Sequence, residues 1–159
     1  MIWAAIALDI KTPLVFMPRD PDSRNKSYTA QSYVMTLEEG LKPVYEPGRL
    51  FQQDNARIHL ASVAQEWFEK HGIWVIDWPA HSPDLNPIEH AWKAMKQHLY
   101  RLYPNMHELK DNEADNAILK ARIEEAWSYV DQAYIRNLVA SIPNRLAACR
   151  RAQGWYTKY

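Results

Sequence analysis

Asp54 and Glu89 are the residues whose type and setting could do chemistry. Asp54 ends RLFQQD (Arg49 to Asp54), which reads as a short strand, and Glu89 opens a helix just after the next strand. If these two strands run parallel in one sheet, both acids reach the carboxyl-end edge, where open α/β sheets bind ligands. Carboxylates converging there repel one another unless a divalent cation lies between them, and hard oxygen ligands suit Mg²⁺ or Mn²⁺. Two such ions roughly 3.5–4 Å apart activate water and stabilise the leaving oxygen in phosphodiester cleavage. The pair alone is a weak signal, because an Asp at a strand end is more often a turn or cap residue.

The elements that must position these acids follow from the hydrophobic pattern. Ile2 to Leu8 is an apolar run that reads as a buried strand, DIKTP as a turn, and Leu14 to Met17 as the second strand of a hairpin. RDPDSRNKS is a polar loop after which Ser27 or Thr29 can cap a helix over Ala30 to Gly40, with Gly40 as its stop. A helix over Leu60 to Lys70 sets Val63, Trp67 and Phe68 on one face and ends at Gly72, and Ile73 to Ile76 is a continuous apolar strand. Pro87 sits where a first helical turn tolerates proline, and the helix from there to about Tyr100 places Ile88, Trp92, Met95 and Leu99 at helical spacing. Helices over Ala117 to Val130, Gln132 to Ala140 and Pro143 to Ala152 complete the chain. A hairpin followed by alternating strands and helices predicts an α/β fold, a mixed sheet covered by helices. In DWPAHSPDLNPIE, Pro79, Pro83 and Pro87 each fix a backbone angle, so the approach to Glu89 is stiff.

Composition narrows the class. The 159 residues suit one domain, and 47 % hydrophobic with 24 % charged residues is ordinary for a soluble protein. A single cysteine, Cys149, cannot make an internal disulfide. Net charge is zero, so there is no global signal for a polyanion partner, yet the distribution is uneven. Between Asn105 and Asp131 acids dominate; after Asp131 no acid appears, while Arg136, Arg145, Arg150, Arg151 and Lys158 do. Arg145, Arg150 and Arg151 are candidate phosphate contacts, although a solvated face is the plainer reading of any one charge. MIWAAIALD is too short to span a membrane and lacks a charged n-region, so neither a membrane partner nor secretion is expected. His81, His90 and His98 lack the accompanying cysteine or carboxylate cluster of a zinc site, and Trp92 and Trp127 read as core.

QQDNARIH followed by WPAHSPDLNPIEHAW resembles the catalytic core of Tc/mariner superfamily transposases, whose domain has a ribonuclease H-like fold. Thirty-four residues, Asn55 to Ile88, separate Asp54 from Glu89, a spacing typical of one branch of that superfamily. The hairpin looks like the fold's second and third strands, and SIPNRLAACRRAQGWYTKY is similar to the family's C-terminus. The resemblance implies a ribonuclease H-like mixed sheet flanked by helices and lacking its first strand, over residues 1–104, with residues 105–159 a helical C-terminal extension. It further implies DDE-type, Mg²⁺- or Mn²⁺-dependent cleavage and rejoining of DNA. The partners would be transposon ends and target DNA, the full-length family would act as a homodimer, and a eukaryotic chain would be nuclear, otherwise cytoplasmic. Asp54 and Glu89 carry over as catalytic, metal-binding acids. Asn55 and His59 match the motif as neighbours that shape the site, with a turn or surface role the plainer reading of each. Asp77, after a strand parallel to that of Asp54, belongs near the metal site or is structural. Asp84 and Asn86 are expected to bond local backbone ahead of the helix.

The family uses three acids, the first on its first strand, and this chain opens at what reads as the second. Asp9 is no substitute: it sits at the hairpin turn, at the end of a strand whose seven residues span roughly 23 Å at about 3.3 Å each. A transposase catalytic fragment with two of three acids, inactive or incomplete, is therefore the first expectation. A non-catalytic nucleic-acid-binding module using the basic tail is the second, and an interaction protein with decayed motifs the third.

Overall fold

The computed structural model describes residues 1–80, 82–155 and 157; His81 and Lys158, named above, lie outside them. The chain divides into two compact units: Met1–Ala5 with Thr12–His81, and Ile6–Lys11 with Ser82–Tyr159.

In the first unit the hairpin pairs β1 (Ile2–Trp3) with β2 (Val15–Phe16) in antiparallel register, Ile2 opposite Phe16 and Trp3 opposite Val15. The strands are much shorter than the apolar pattern predicts. Further along, Ile6 opposes Lys11, so the second arm carries one extra residue, and Pro13, which has no N–H for the ladder, lies in that interval. The Thr12 hydroxyl takes over there, accepting from the Ala5 N–H at 2.9 Å.

Helix α1 spans Ala30–Gly40, as the sequence predicts, and Thr29 is its cap through a reciprocal capping box with Ser32. Its inward face carries Tyr33 and Leu37, both fully buried, and burial of each such side chain contributes about 2 kcal/mol. Gly40 does a different job from the expected stop. It is the last helical residue, and a Cβ there would lie 2.4 Å from Trp3 Cζ3, so only glycine lets hairpin and helix approach this closely.

Strands β3 (Leu50–Phe51) and β4 (Trp74–Val75) pair in parallel, the relation required for Asp54 and Asp77 to leave at the same end of the sheet. Between them α3 (Ser62–Lys70) covers the predicted helix, and a short helix that was not predicted, α2 (Arg57–Leu60), precedes it, separated by Ala61 in extended backbone. Gly72, at φ +63°, closes α3 in a Schellman motif: its N–H bonds the Glu69 carbonyl and that of Ile73 bonds Phe68. Trp67, Phe68 and Ile73 join Tyr33 and Leu37 in one apolar core.

In the second unit Leu8 and Asp9 form the two-residue hairpin loop, so Asp9 is the turn residue expected. Lys11 donates to the carbonyls of Trp127 at 2.9 Å and Val130 at 2.5 Å, capping the end of α5 (Glu113–Ser128). Helix α4 (Ile88–Leu102) buries Ala91, Met95 and Leu99 along one face, with Trp92 half-buried, and Pro87 stands just before it as N-cap. A short 3₁₀ turn (Met106–Glu108), not predicted, precedes α5, which begins ahead of Ala117 because the Asn112 side chain caps it. Helices α6 (Gln132–Ala140) and α7 (Ile142–Arg151) follow, with α4 packed on α5 and α6, and α6 on α7. Trp127 is buried and its ring lies 5.2 Å from that of Trp92. No helix of the described residues is long and apolar enough to cross a membrane.

Candidate functional site

Asp54 lies in the loop that leaves β3, short of the strand the sequence predicts for it. The chain quits the ladder because its polar side chains find other partners. Asp54 Oδ1 accepts from the Ala56 N–H at 3.1 Å, an Asx-type turn, and the Gln53 side chain turns into the core. Asp54 itself faces solvent, its side chain 63 % exposed, and His59 comes to it from α2, with Nδ1 at 2.7 Å from Oδ1. A carboxylate oxygen only accepts, so this His59 nitrogen carries the proton. Asn55 donates through Nδ2 to the Trp78 carbonyl at 2.8 Å, tying the loop to the segment just beyond Asp77. Asp54, Asn55 and His59 are thus one local group, and Asp77 is exposed on the neighbouring strand exit.

Three residues outside the expected set hold this group. Tyr33 of α1 donates to Gln53 Oε1 at 2.5 Å, and its ring faces that of His59 with centroids 4.3 Å apart. Gln65 Nε2 donates to the His59 carbonyl at 2.8 Å. Burial raises the Tyr33 hydroxyl pKa, a hydrogen bond with Trp3 partly offsets the rise and the nearby Asp54 charge adds to it, so Tyr33 is a neutral donor. Gln53 was legible as the inward neighbour of an outward Asp54 on an extended chain; Tyr33 and Gln65 carry no local signal.

Glu89 is exposed in the first turn of α4, where a carboxylate is favoured by the helix dipole. Its N–H bonds the Asn86 carbonyl at 3.3 Å, and Asn86 Oδ1 accepts from the Ile88 N–H at 3.4 Å, the local role expected of Asn86. Asp84 departs from expectation. Rather than bonding nearby backbone, its carboxylate accepts from the Thr157 hydroxyl at 2.9 Å and its carbonyl from Arg145 at 2.7 Å.

Arg145, expected as a DNA contact, is 2 % exposed. Its guanidinium also donates to Ser141 Oγ at 2.8 Å and lies 3.5 Å from His90 Nδ1, so in this structure it is an internal anchor and not a surface cation. Arg150 and Arg151, in the last turn of α7, are exposed. Desolvation, with the charges of Arg145 and Lys93, lowers the His90 pKa. His98 packs on Tyr129.

Among the described residues no three His, Cys, Asp or Glu side chains gather into a ready metal site. Asp54 and Glu89 are each an exposed carboxylate, in kind the hard oxygen donor that a divalent cation such as Mg²⁺ takes from protein.

Over residues 3–110 the chain matches the DDE superfamily endonuclease family, and it belongs to that family. Its relatives are Tc/mariner transposases. It is 35 % identical over 112 residues to the Tc1 transposase of Caenorhabditis elegans, covering 70 % of this chain and 38 % of that protein. To the Tc3 transposase of the same organism it is 31 % identical over 157 residues, 97 % of this chain and 44 % of that one. The chain therefore spans less than half the length of these relatives. A structure of the Mos1 transposase catalytic domain with raltegravir and Mg superposes with TM-score 0.71 at 17 % identity, covering 99 % of this chain and 76 % of that one. A second Mos1 mariner catalytic-domain structure gives 0.66 at 18 % identity, covering 99 % and 82 %. The ribonuclease H-like α/β fold expected from the sequence is thus the observed one.

Proposed function

We propose that this chain serves as a transposase catalytic domain of the DDE type, cutting and rejoining DNA strands with Mg²⁺ or Mn²⁺, and that Asp54 and Glu89 are two of its cation ligands. The observation that carries the reading is the placement of two exposed carboxylates in the family's motif positions, one on the loop leaving β3 and one in the first turn of α4. When bound, the cations would polarise the scissile phosphate and activate the attacking hydroxyl or water. The chain's own residues supply the rest. His59 and the Ala56 N–H hold one oxygen of Asp54, Asn55 ties its loop to the next strand exit, and Asn86 starts the helix that presents Glu89. Arg150 and Arg151 would meet phosphates. Residues 1–104 form the catalytic core in this reading and 105–159 its helical extension; the site of action is nuclear DNA, as for a eukaryotic transposon, at transposon ends and target.

The test is nicking of supercoiled plasmid by the whole chain with Mn²⁺. Nicking lost in Asp54→Asn and in Glu89→Gln supports the assignment, and nicking indifferent to both overturns it. A second reading, a nucleic-acid-binding module without cleavage, draws on the exposed Arg150 and Arg151 in a tail free of acids after Asp131. Salt-dependent DNA retention with no nicking would favour it, because phosphate contacts release counterions.

A further inference from the structure

Tyr33 lies on α1, remote in sequence from every motif residue, yet it holds the Asp54 loop in two ways. Its ring is the surface on which the His59 imidazole rests, the planes tilted by 36°. Its hydroxyl fixes Gln53, whose Nε2 is 3.5 Å from the His59 carbonyl that Gln65 also grips. His59, held at ring face and carbonyl, is only 19 % exposed at its side chain although its partner Asp54 is largely open. The outcome is asymmetric. Asp54 Oδ1 is taken by His59 Nδ1 and the Ala56 N–H, while Oδ2 accepts no hydrogen bond among the described residues.

The geometry points to Tyr33 as a positioning residue for the candidate metal centre: through His59 and Gln53 it fixes the Asp54 carboxylate so that Oδ2 alone is offered to a divalent cation. A tyrosine serving only the core would be satisfied by its apolar neighbours and one buried acceptor. Here the ring face is spent on the motif histidine, and the acceptor is the residue next to the motif aspartate. Ligand carboxylates left to rotate waste affinity on unproductive orientations, and the groups that orient them typically matter 10–100-fold for metal binding. The inference rests on the reading of Asp54 as a cation ligand.

The experiment is Mn²⁺ titration of the whole chain, followed by loss of the free-ion electron paramagnetic resonance signal, alongside the ring ¹⁵N shifts of His59. Asp54→Asn should abolish the site and move the His59 Nδ1 resonance. Tyr33→Leu and His59→Ala should each weaken Mn²⁺ binding about tenfold, and Tyr33→Phe, which keeps the ring under the imidazole, should recover most of what Tyr33→Leu loses. If Tyr33→Leu and His59→Ala both bind within about twofold of the parent while Asp54→Asn does not bind, the ligand reading stands and the positioning role is overturned. If Tyr33→Leu fails to fold, His59→Ala, at a partly exposed loop position, decides in the same way. No saturable binding by the parent chain, or binding indifferent to Asp54→Asn, overturns both.

Discussion

The two candidate acids, Asp54 and Glu89, are both exposed, but each sits in a different unit and is held there by different physics. Asp54 sits on a loop, and its orientation depends on side chains: His59 on Oδ1, Tyr33 beneath His59, Asn55 reaching the Trp78 carbonyl. Glu89 sits on a helix, and its position depends on backbone: three prolines before it, Asn86 starting the helix, and a buried guanidinium gripping the Asp84 carbonyl at the head of the approach. A loop-held carboxylate can be retuned by one distant side chain without loss of fold. A helix-held carboxylate moves only if its unit loosens. The comparison therefore predicts that the first unit separates site geometry from stability and the second does not.

Arg145 is the sharpest way to break that comparison. Its removal leaves a Ser141 hydroxyl, an Asp84 carbonyl and a space among buried groups with no compensating donor. Arg145→Ala should cost about 3 kcal/mol in urea denaturation, since hydrogen bonds made by a buried charge are costly to lose. Arg145→Lys should recover little, because one ammonium cannot reproduce a planar fork directed at separate acceptors. Hydrogen exchange should show the loss in α4 and α7 and spare α1 and α3. A uniform loss across both units would show that they unfold as one, and the distinction drawn above would fail.

Gly40→Ala makes the converse case in the first unit. The added Cβ meets Trp3 and the Val15 side chain at 2.4 to 2.9 Å, and overpacking of this kind costs about 1–3 kcal/mol. The expected result is a lower denaturation midpoint with protection lost at the hairpin root and α1. A glycine without this close approach, in the helical backbone that Gly40 has, would instead gain about 0.5–1 kcal/mol from alanine.

Gly40 and Arg145 also mark where the sequence was readable and where it was not. Helices α1 and α6 have the predicted bounds because their caps, Thr29 and Asp131, are local signals. The parallel relation of β3 and β4 and the clustering of Asp54, Asn55 and His59 were legible from pattern and motif. The strands were overcalled because apolar runs cannot reveal that Pro13 interrupts one ladder or that Gln53 turns inward to Tyr33. Arg145 was read as a surface cation because charged residues are almost never fully buried, and its partners Asp84 and His90 lie some sixty positions away. Tyr33 was invisible for the same reason: what it does is set by contacts made across the fold.

The helix that delivers Glu89 gives a smaller effect. Asn86→Ala removes the side-chain acceptor for the Ile88 N–H, a long bond at 3.4 Å, while leaving the backbone bond to Glu89. The expected cost is about 0.5 kcal/mol, at the low end for a helix-start side chain, read as faster amide exchange at Ile88 with the global midpoint nearly unchanged. A loss comparable to that of Arg145→Ala would mean that the Asn86 side chain, and not the buried guanidinium, fixes the approach.

Acid supplies the mildest probe, and it acts on the first unit. The Thr29 hydroxyl donates to Asp20 Oδ2 at 2.7 Å while accepting from the Ser32 N–H, so one side chain joins the loop acid to the cap of the helix that carries Tyr33. That bond, with the N–H groups of Asp22 and Ser23, holds the Asp20 pKa below its usual 3.8 against the desolvation that raises it. A carboxyl whose folded pKa is depressed binds protons more readily in the unfolded chain. Its contribution is therefore fully present above about pH 4 and is lost as pH falls through the folded value. Asp20→Asn should be less stable than the parent near neutrality, and the gap should close below pH 4 as the parent loses its advantage. Denaturation midpoints across that range give the answer. Arg145 does not titrate there, so the anchor of the second unit should be silent in the same experiment. A gap that stays constant with pH would show that Asp20 is held in the folded chain no differently from the unfolded one.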